Sequence, residues 1–180
     1  MYEVEQKARV SHATVLPILQ NADAEPISTV KQTDVYVNHP TRDFAETDEA
    51  LRLRSIYTED DNESVILTYK GPRQARSTKT RKELEVDVSP FETLQTILDV
   101  LGFTAVSTVV KTRRTYEWAG CLICLDDVEG LGEFVEVEAH GEFSDIAEAE
   151  TAVKRMIDRL GIGTEQLTTQ SYLAMLLHDE

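Results

Sequence analysis

Eight stretches of the chain alternate between apolar and charged positions with the two-residue period of a strand that has two unlike faces. In residues 2–10, Glu3, Glu5, Lys7 and Arg9 share one face and Val4, Ala8 and Val10 the other. Residues 27–38 carry Gln32, Asp34 and Tyr36 on one face, and residues 49–57 set Arg52 and Arg54 against Leu51 and Leu53. Residues 64–70 set Ser64, Thr68 and Lys70 against Val65, Leu67 and Tyr69, and Gly71-Pro72 ends the run. Further strands are predicted over 81–88, 104–118, 121–128 and 133–140. Residues 73–80 are polar and basic without periodicity, and read as a mobile loop.

Helical spacing appears in four places. Residues 12–22 form one helix, in which Pro17 is tolerable if it falls near the first turn. Ser89, Pro90 and Glu92 read as an N-cap, a first helical residue and a capping box for a helix that ends at Gly102. Ser144 reads as the cap of a helix stopped by Gly161, and a last helix is predicted over 165–177. Strands come in neighbouring runs, not in strict alternation with helices. The expected fold is therefore α+β: an eight-stranded, antiparallel, closed barrel with helices packed outside. No repeat, linker or low-complexity segment interrupts the 180 residues, so a single domain over 1–180 is expected.

Charge changes this picture in one respect. Thirty-three acidic and 18 basic residues give a formal net charge of −15. Such a surface argues against nonspecific nucleic-acid or anionic-membrane binding. The basic residues are 11 Arg and 7 Lys. Few Lys in a large acid excess suits concentrated salt, where screening relieves self-repulsion, so a saline host is expected. No run of about 18 apolar residues exists to span a membrane. The acidic N-terminus lacks the pattern of a secretion signal, so a cytoplasmic protein is expected. Cys121 and Cys124 have a C-x-x-C spacing, but on a strand they point to opposite faces, as two buried thiols of a reducing compartment.

If helices cover the apolar strand faces, the charged faces point into the barrel. Ionised groups there are costly unless ions and ligands pair with them. The acids of this face are Glu3, Glu5, Glu83, Glu85, Asp126, Glu136 and Glu138; the bases are Lys7, Arg9, Arg52, Arg54, Lys70, Arg81, Lys111 and Arg113. Carboxylates two residues apart on a strand project side by side and suit a hard divalent cation such as Mg²⁺ or Mn²⁺. Arg forks onto phosphate oxygens and Lys adds point charge. Both sets together are what a metal-bound polyphosphate needs.

The motifs in their order resemble one family. Glu3-Val4-Glu5-Gln6-Lys7 is similar to the ExExK signature of CYTH domains, the triphosphate tunnel metalloenzymes. Gln32-Thr33-Asp34-Val35-Tyr36, Ala50-Leu51-Arg52-Leu53-Arg54 and Leu67-Thr68-Tyr69-Lys70-Gly71-Pro72 resemble its next three motifs. Arg81-Lys82-Glu83-Leu84-Glu85, Lys111-Thr112-Arg113-Arg114 and the segment from Asp126 to Glu138 complete the set.

The resemblance implies metal held by Glu3, Glu5, Glu136 and Glu138, helped by Glu83, Glu85 or Asp126. It implies triphosphate contacts from Lys7, Arg52, Arg54, Lys70, Lys111 and Arg113, with Glu5, Lys70, Glu85 and Lys111 as the catalytic groups. Arg114 falls on the opposite face by parity. The expected ligand is a small triphosphate: ATP, thiamine triphosphate or tripolyphosphate. The favoured reaction is that of class IV adenylyl cyclases, ATP to cyclic AMP and pyrophosphate. The alternatives are hydrolysis of thiamine triphosphate or tripolyphosphate, and binding without turnover. His12, His39 and His178 are expected in solvent and His140 at the tunnel rim. The apolar C-terminal helix, with Tyr172, Leu173, Met175, Leu176 and Leu177, either closes one tunnel end or forms a homodimer contact.

Overall fold

The computed structural model describes residues 2–22, 24–60, 62–73 and 81–178, and for Tyr2, Glu3 and Arg73 the backbone alone. Residues 74–80 of the expected basic loop lie outside the described residues. The strands are β1 (Tyr2–Glu3), β2 (Glu5–Arg9), β3 (Glu25–Asn38), β4 (Ala50–Thr58), β5 (Glu63–Arg73), β6 (Arg81–Val88), β7 (Thr104–Trp118), β8 (Cys121–Val128), β9 (Gly132–Ala139) and β10 (Leu167–Thr168). The helices are α1 (His12–Asn21), α2 (Phe44–Thr47), α3 (Phe91–Val100), α4 (Ile146–Arg159) and α5 (Tyr172–His178).

Every strand pairing is antiparallel, in the order β1-β6-β5-β4-β3-β7-β8-β9-β2-β10. The α+β antiparallel architecture is thus as expected, and the eight predicted strands are all present. The ends of the order are informative. β1 and β2 are one strand interrupted only at Val4; β1 pairs with β6 and β2 with β9. Among the described residues, hydrogen bonds do not close the sheet as one continuous ladder. The covalent continuity of residues 2–9 brings its two ends together. At the β8–β9 turn the chain reverses through positive φ at Gly130 (80°) and Gly132 (90°), a conformation that a Cβ disfavours.

The main core lies outside the sheet. Ala8, Ile123, Leu125, Val135 and Val137 alternate on the outer face of β2, β8 and β9. They pack against Val15 and Leu19 of α1 and Val153, Met156 and Ile157 of α4. A fully buried aliphatic side chain contributes about 1.5–3 kcal/mol of transfer free energy, so this layer fixes which strand face turns inward. α3 covers β4, but β6 is left bare: Leu84 and Val86 are half exposed.

Local details differ from the sequence reading. Pro17 lies inside α1, not near its first turn. Pro90, not Ser89, is the N-cap residue of α3 and offers no side-chain bond. Asp145, not Ser144, caps α4 by accepting from the Glu148 N–H, while Ser144 donates to the Glu148 carboxylate. The last predicted helix is split into a 3-10 turn (Thr164–Gln166), β10 and α5, because β10 pairs with Lys7 and Ala8 of β2. The one-turn α2, with Phe44 buried, carries no periodic signal long enough to read.

Candidate active site in the barrel tunnel

The inward strand faces enclose a cavity of about 1500 Å³. Glu5, Lys7, Arg52, Arg54, Lys70, Arg81, Glu83, Glu85, Lys111, Arg113, Glu136 and Glu138 all line it, so the inside-out assignment of the charged faces holds. Asp126 does not line it, and the side chain of Glu3 lies outside the described residues. Arg9 turns to the far end of the barrel, where it donates to the Leu131 carbonyl and lies over the Phe134 ring. Arg114 is on the outer face, as its parity requires, within 3.1 Å of His12 Nδ1.

Two arginine–aspartate units form the floor. Arg54 donates through Nε and Nη2 to the two oxygens of Asp34 at 2.6 and 2.7 Å, from directly opposed positions of β4 and β3. Arg113 donates in the same way to both oxygens of Asp126 at 2.6 Å, again from opposed positions, and its Nη2 also reaches Glu136. Bidentate forks of this kind orient the guanidinium as well as neutralise it. In each unit the aspartate is at most 1% exposed while the arginine faces the cavity. Asp126 also holds Lys111 Nζ at 3.3 Å and accepts from the Tyr172 hydroxyl at 2.9 Å. With these partners Asp126 anchors the cations of the tunnel from behind. Burial would raise both aspartates, but the adjacent Arg54 and Arg113 prevail and hold them below the ordinary carboxylate range.

The remaining lining groups are cross-linked. Lys7 Nζ lies 2.9 Å from Glu136, and Lys70 Nζ lies 3.0 Å from Glu83. Arg52 Nη2 donates to Thr68 at 3.1 Å, and Thr68 donates on to Glu85 at 2.8 Å. Glu83 therefore stands beside Lys70 and Arg52. Sequence reasoning assigned no role to Asp34 or Thr68, and placed Tyr172 only on a helix that closes one tunnel end or forms a dimer contact. Strand parity could have found Asp34, which shares a face with Tyr36. Nothing local could have found Tyr172, whose contacts cross from the C-terminus to β2, β7 and β8. The same contacts show that α5 covers one tunnel end: Tyr172 packs there with Phe134, Val109 and Val128.

The β2–β9 register sets Glu5 directly opposite Glu138. Like charges so placed repel, and their oxygens match a hard cation. Among the described residues no three acidic, His or Cys side chains converge on one point. Glu5 and Glu138 fit as a pair, with Glu136 beside them already engaged by Lys7 and Arg113.

Other groups depart from expectation. His12 is buried, with Nε2 3.0 Å from the Phe134 carbonyl, because α1 lies against β9. His39 packs against Phe44 and Phe103, whereas His140 does line the cavity. Cys121 joins the outer core and Cys124 is buried on the other face; burial pushes the Cys124 thiol up to about 11, which removes it as a nucleophile at neutral pH.

A family model of the CYTH domain matches residues 1–172. The chain belongs to the CYTH family. A Methanocaldococcus jannaschii protein provisionally named an adenylate cyclase is 36% identical over 179 residues, covering 97% of this chain and 98% of that protein. A Pyrococcus horikoshii structure is 37% identical, with a TM-score of 0.90 and 99% of both chains covered. A provisionally assigned adenylyl cyclase from Hippeastrum, described as having a dominant triphosphatase activity, shares the fold at 16% identity, with a TM-score of 0.70 over 99% of this chain and 96% of that one. CYTH proteins are adenylate cyclase- or triphosphatase-like enzymes acting on small triphosphates with metal. No helix among the described residues is long and apolar enough to cross a membrane.

Lys111 gives this CYTH tunnel a pH signature. Burial drives its ammonium down to about 8, Arg113 adds to the fall and Asp126 opposes it. The free protein therefore loses this positive charge as pH rises through about 8. Tripolyphosphate affinity, measured by calorimetry from pH 6.5 to 9.5, should weaken through that value in the wild type and stay flat in Lys111→Arg. Stability has the opposite sign. Between about 8 and the ordinary 10.5, the unfolded lysine holds a proton the native one lacks, so this group's contribution rises with pH.

Proposed function

We propose that this protein is a metal-dependent adenylyl cyclase that converts ATP to cyclic AMP and pyrophosphate within the tunnel. The observation that carries the reading is the cavity itself. Its volume of about 1500 Å³ exceeds what a bare polyphosphate fills. The provisional name of the 36%-identical relative points the same way.

Lys7, Arg52, Arg54, Lys70, Lys111 and Arg113 bind the phosphate oxygens. Asp34 and Asp126 hold their arginines so that little reorganisation accompanies binding. Glu5 and Glu138, with Glu3, would hold Mg²⁺ or Mn²⁺. When bound, the cation neutralises phosphate charge and lowers the pKa of an oxygen it touches. The ribose 3′-hydroxyl gives its proton to water as its oxygen attacks the α-phosphorus, the bond from that phosphorus to the bridging oxygen breaks, and pyrophosphate leaves with the charge neutralised by Lys111 and Arg113.

One observation favours hydrolysis as a second reading. Glu85 is half exposed and fixed by Thr68, a placement suited to orienting water at a terminal phosphorus. Incubation with ATP, thiamine triphosphate and tripolyphosphate under Mg²⁺ and Mn²⁺ decides. Cyclic AMP with stoichiometric pyrophosphate is expected. Orthophosphate release alone would assign the protein as a triphosphatase, and tight binding without any product would leave a polyphosphate binder.

A further inference from the structure

The C-terminal helix carries Tyr172 into the charged tunnel, and the contacts of this side chain are not those of a simple plug. The Tyr172 ring lies 3.3 Å from Lys7 Nζ and 5.0 Å from Lys111 Nζ, measured to its centroid. Its hydroxyl donates to Asp126 Oδ2 at 2.9 Å, and the same carboxylate grips Arg113 and Lys111. The residue is only 5% exposed, yet it borders the cavity. An apolar residue of similar size would close the barrel end equally well. It would offer no negative ring face to an ammonium and no donor to Asp126.

We infer that Tyr172 is a positioning residue for the triphosphate site. Its ring holds the Lys7 and Lys111 ammonium groups, and its hydroxyl locks the carboxylate that orients Arg113. Three of the six proposed phosphate-binding cations are thereby set by one side chain from the end of the chain. The inference rests on the reading of Lys7, Lys111 and Arg113 as phosphate-binding groups.

Two features support positioning over filling. First, the Lys7 ammonium is held between the ring and Glu136, 2.9 Å away, so its direction is defined from two sides. Second, Tyr172 has orienting contacts besides the two lysines: its ring meets Phe134 edge-on, with centroids 5.1 Å apart, and its hydroxyl is tied to the fully buried Asp126 carboxylate.

The test uses the full chain and tripolyphosphate as the probe, with dissociation constants from calorimetry and Tm measured alongside. Tyr172→Leu should weaken binding about tenfold, and Tyr172→Phe, which keeps the ring, only about threefold. Leu176→Ala, which loosens the packing of α5 and leaves Tyr172 in place, should lower Tm with less than about a threefold change in affinity. In a Lys7→Ala background, Tyr172→Leu should add less than it does in the wild type, because one of the contacts it removes is already gone. Equal losses from Tyr172→Leu and Leu176→Ala, or full additivity with Lys7→Ala, would reduce Tyr172 to packing and overturn the inference. Failure of the underlying reading looks different: Lys7→Ala and Arg113→Ala would then leave tripolyphosphate binding unchanged.

Discussion

Asp126→Ala should destabilise the protein by about 3–5 kcal/mol, the largest single-residue effect expected here. The substitution leaves the buried Arg113 without its bidentate carboxylate, removes the group that opposes deprotonation of Lys111, and strips the Tyr172 hydroxyl of its acceptor. Removing one partner of a buried ion pair is costly because the other charge stays desolvated. Urea unfolding of wild type, Asp126→Ala and Asp126→Asn measures it. The asparagine variant should fall between the two, since it keeps a hydrogen-bond acceptor and loses the charge. A loss under about 1 kcal/mol in both variants would contradict the anchoring role. The sign of the acid dependence follows. Arg113 holds Asp126 below the ordinary carboxylate value, so its stabilisation is present above that value and is lost as pH falls through the lowered one.

Glu5→Gln combined with Glu138→Gln should lower metal-dependent kcat/KM by about 100- to 1000-fold, the size of several kcal/mol of charge stabilisation. These two carboxylates face each other across β2 and β9, where their oxygens suit one hard cation. The paired assays are steady-state turnover under Mg²⁺ and Mn²⁺ and a thermal melt without metal. Turnover within about threefold of wild type would remove this pair from the metal site.

Much of this was legible because a strand has a period of two. Alternation placed Glu5 with Lys7, Arg52 with Arg54, and Glu136 with Glu138 on common faces, and put Arg114 on the other. What alternation cannot supply is depth. Asp126 and Glu136 look equivalent as inward acids, yet one lies beneath Arg113 and the other beside the cavity. Depth is set by the tilt and register of neighbouring strands, which the spacing within one strand does not encode. Arg9 illustrates the same point. Its face is inward, but its level along β2 takes it to the Phe134 end.

The sequence by itself determined the antiparallel α+β sheet, the family, the inward faces and nearly every cation of the candidate site. All of these follow from residue type and local period. The tertiary structure alone decided that Asp34 and Asp126 are buried anchors, that His12 is enclosed by α1 and β9, and that Tyr172 enters the tunnel. Each depends on contacts between segments far apart in the chain, 46 residues for Tyr172 and Asp126 and 122 for His12 and Phe134. Residue spacing carries no record of such contacts, because they form only when the outer core has fixed how the strands and helices sit together.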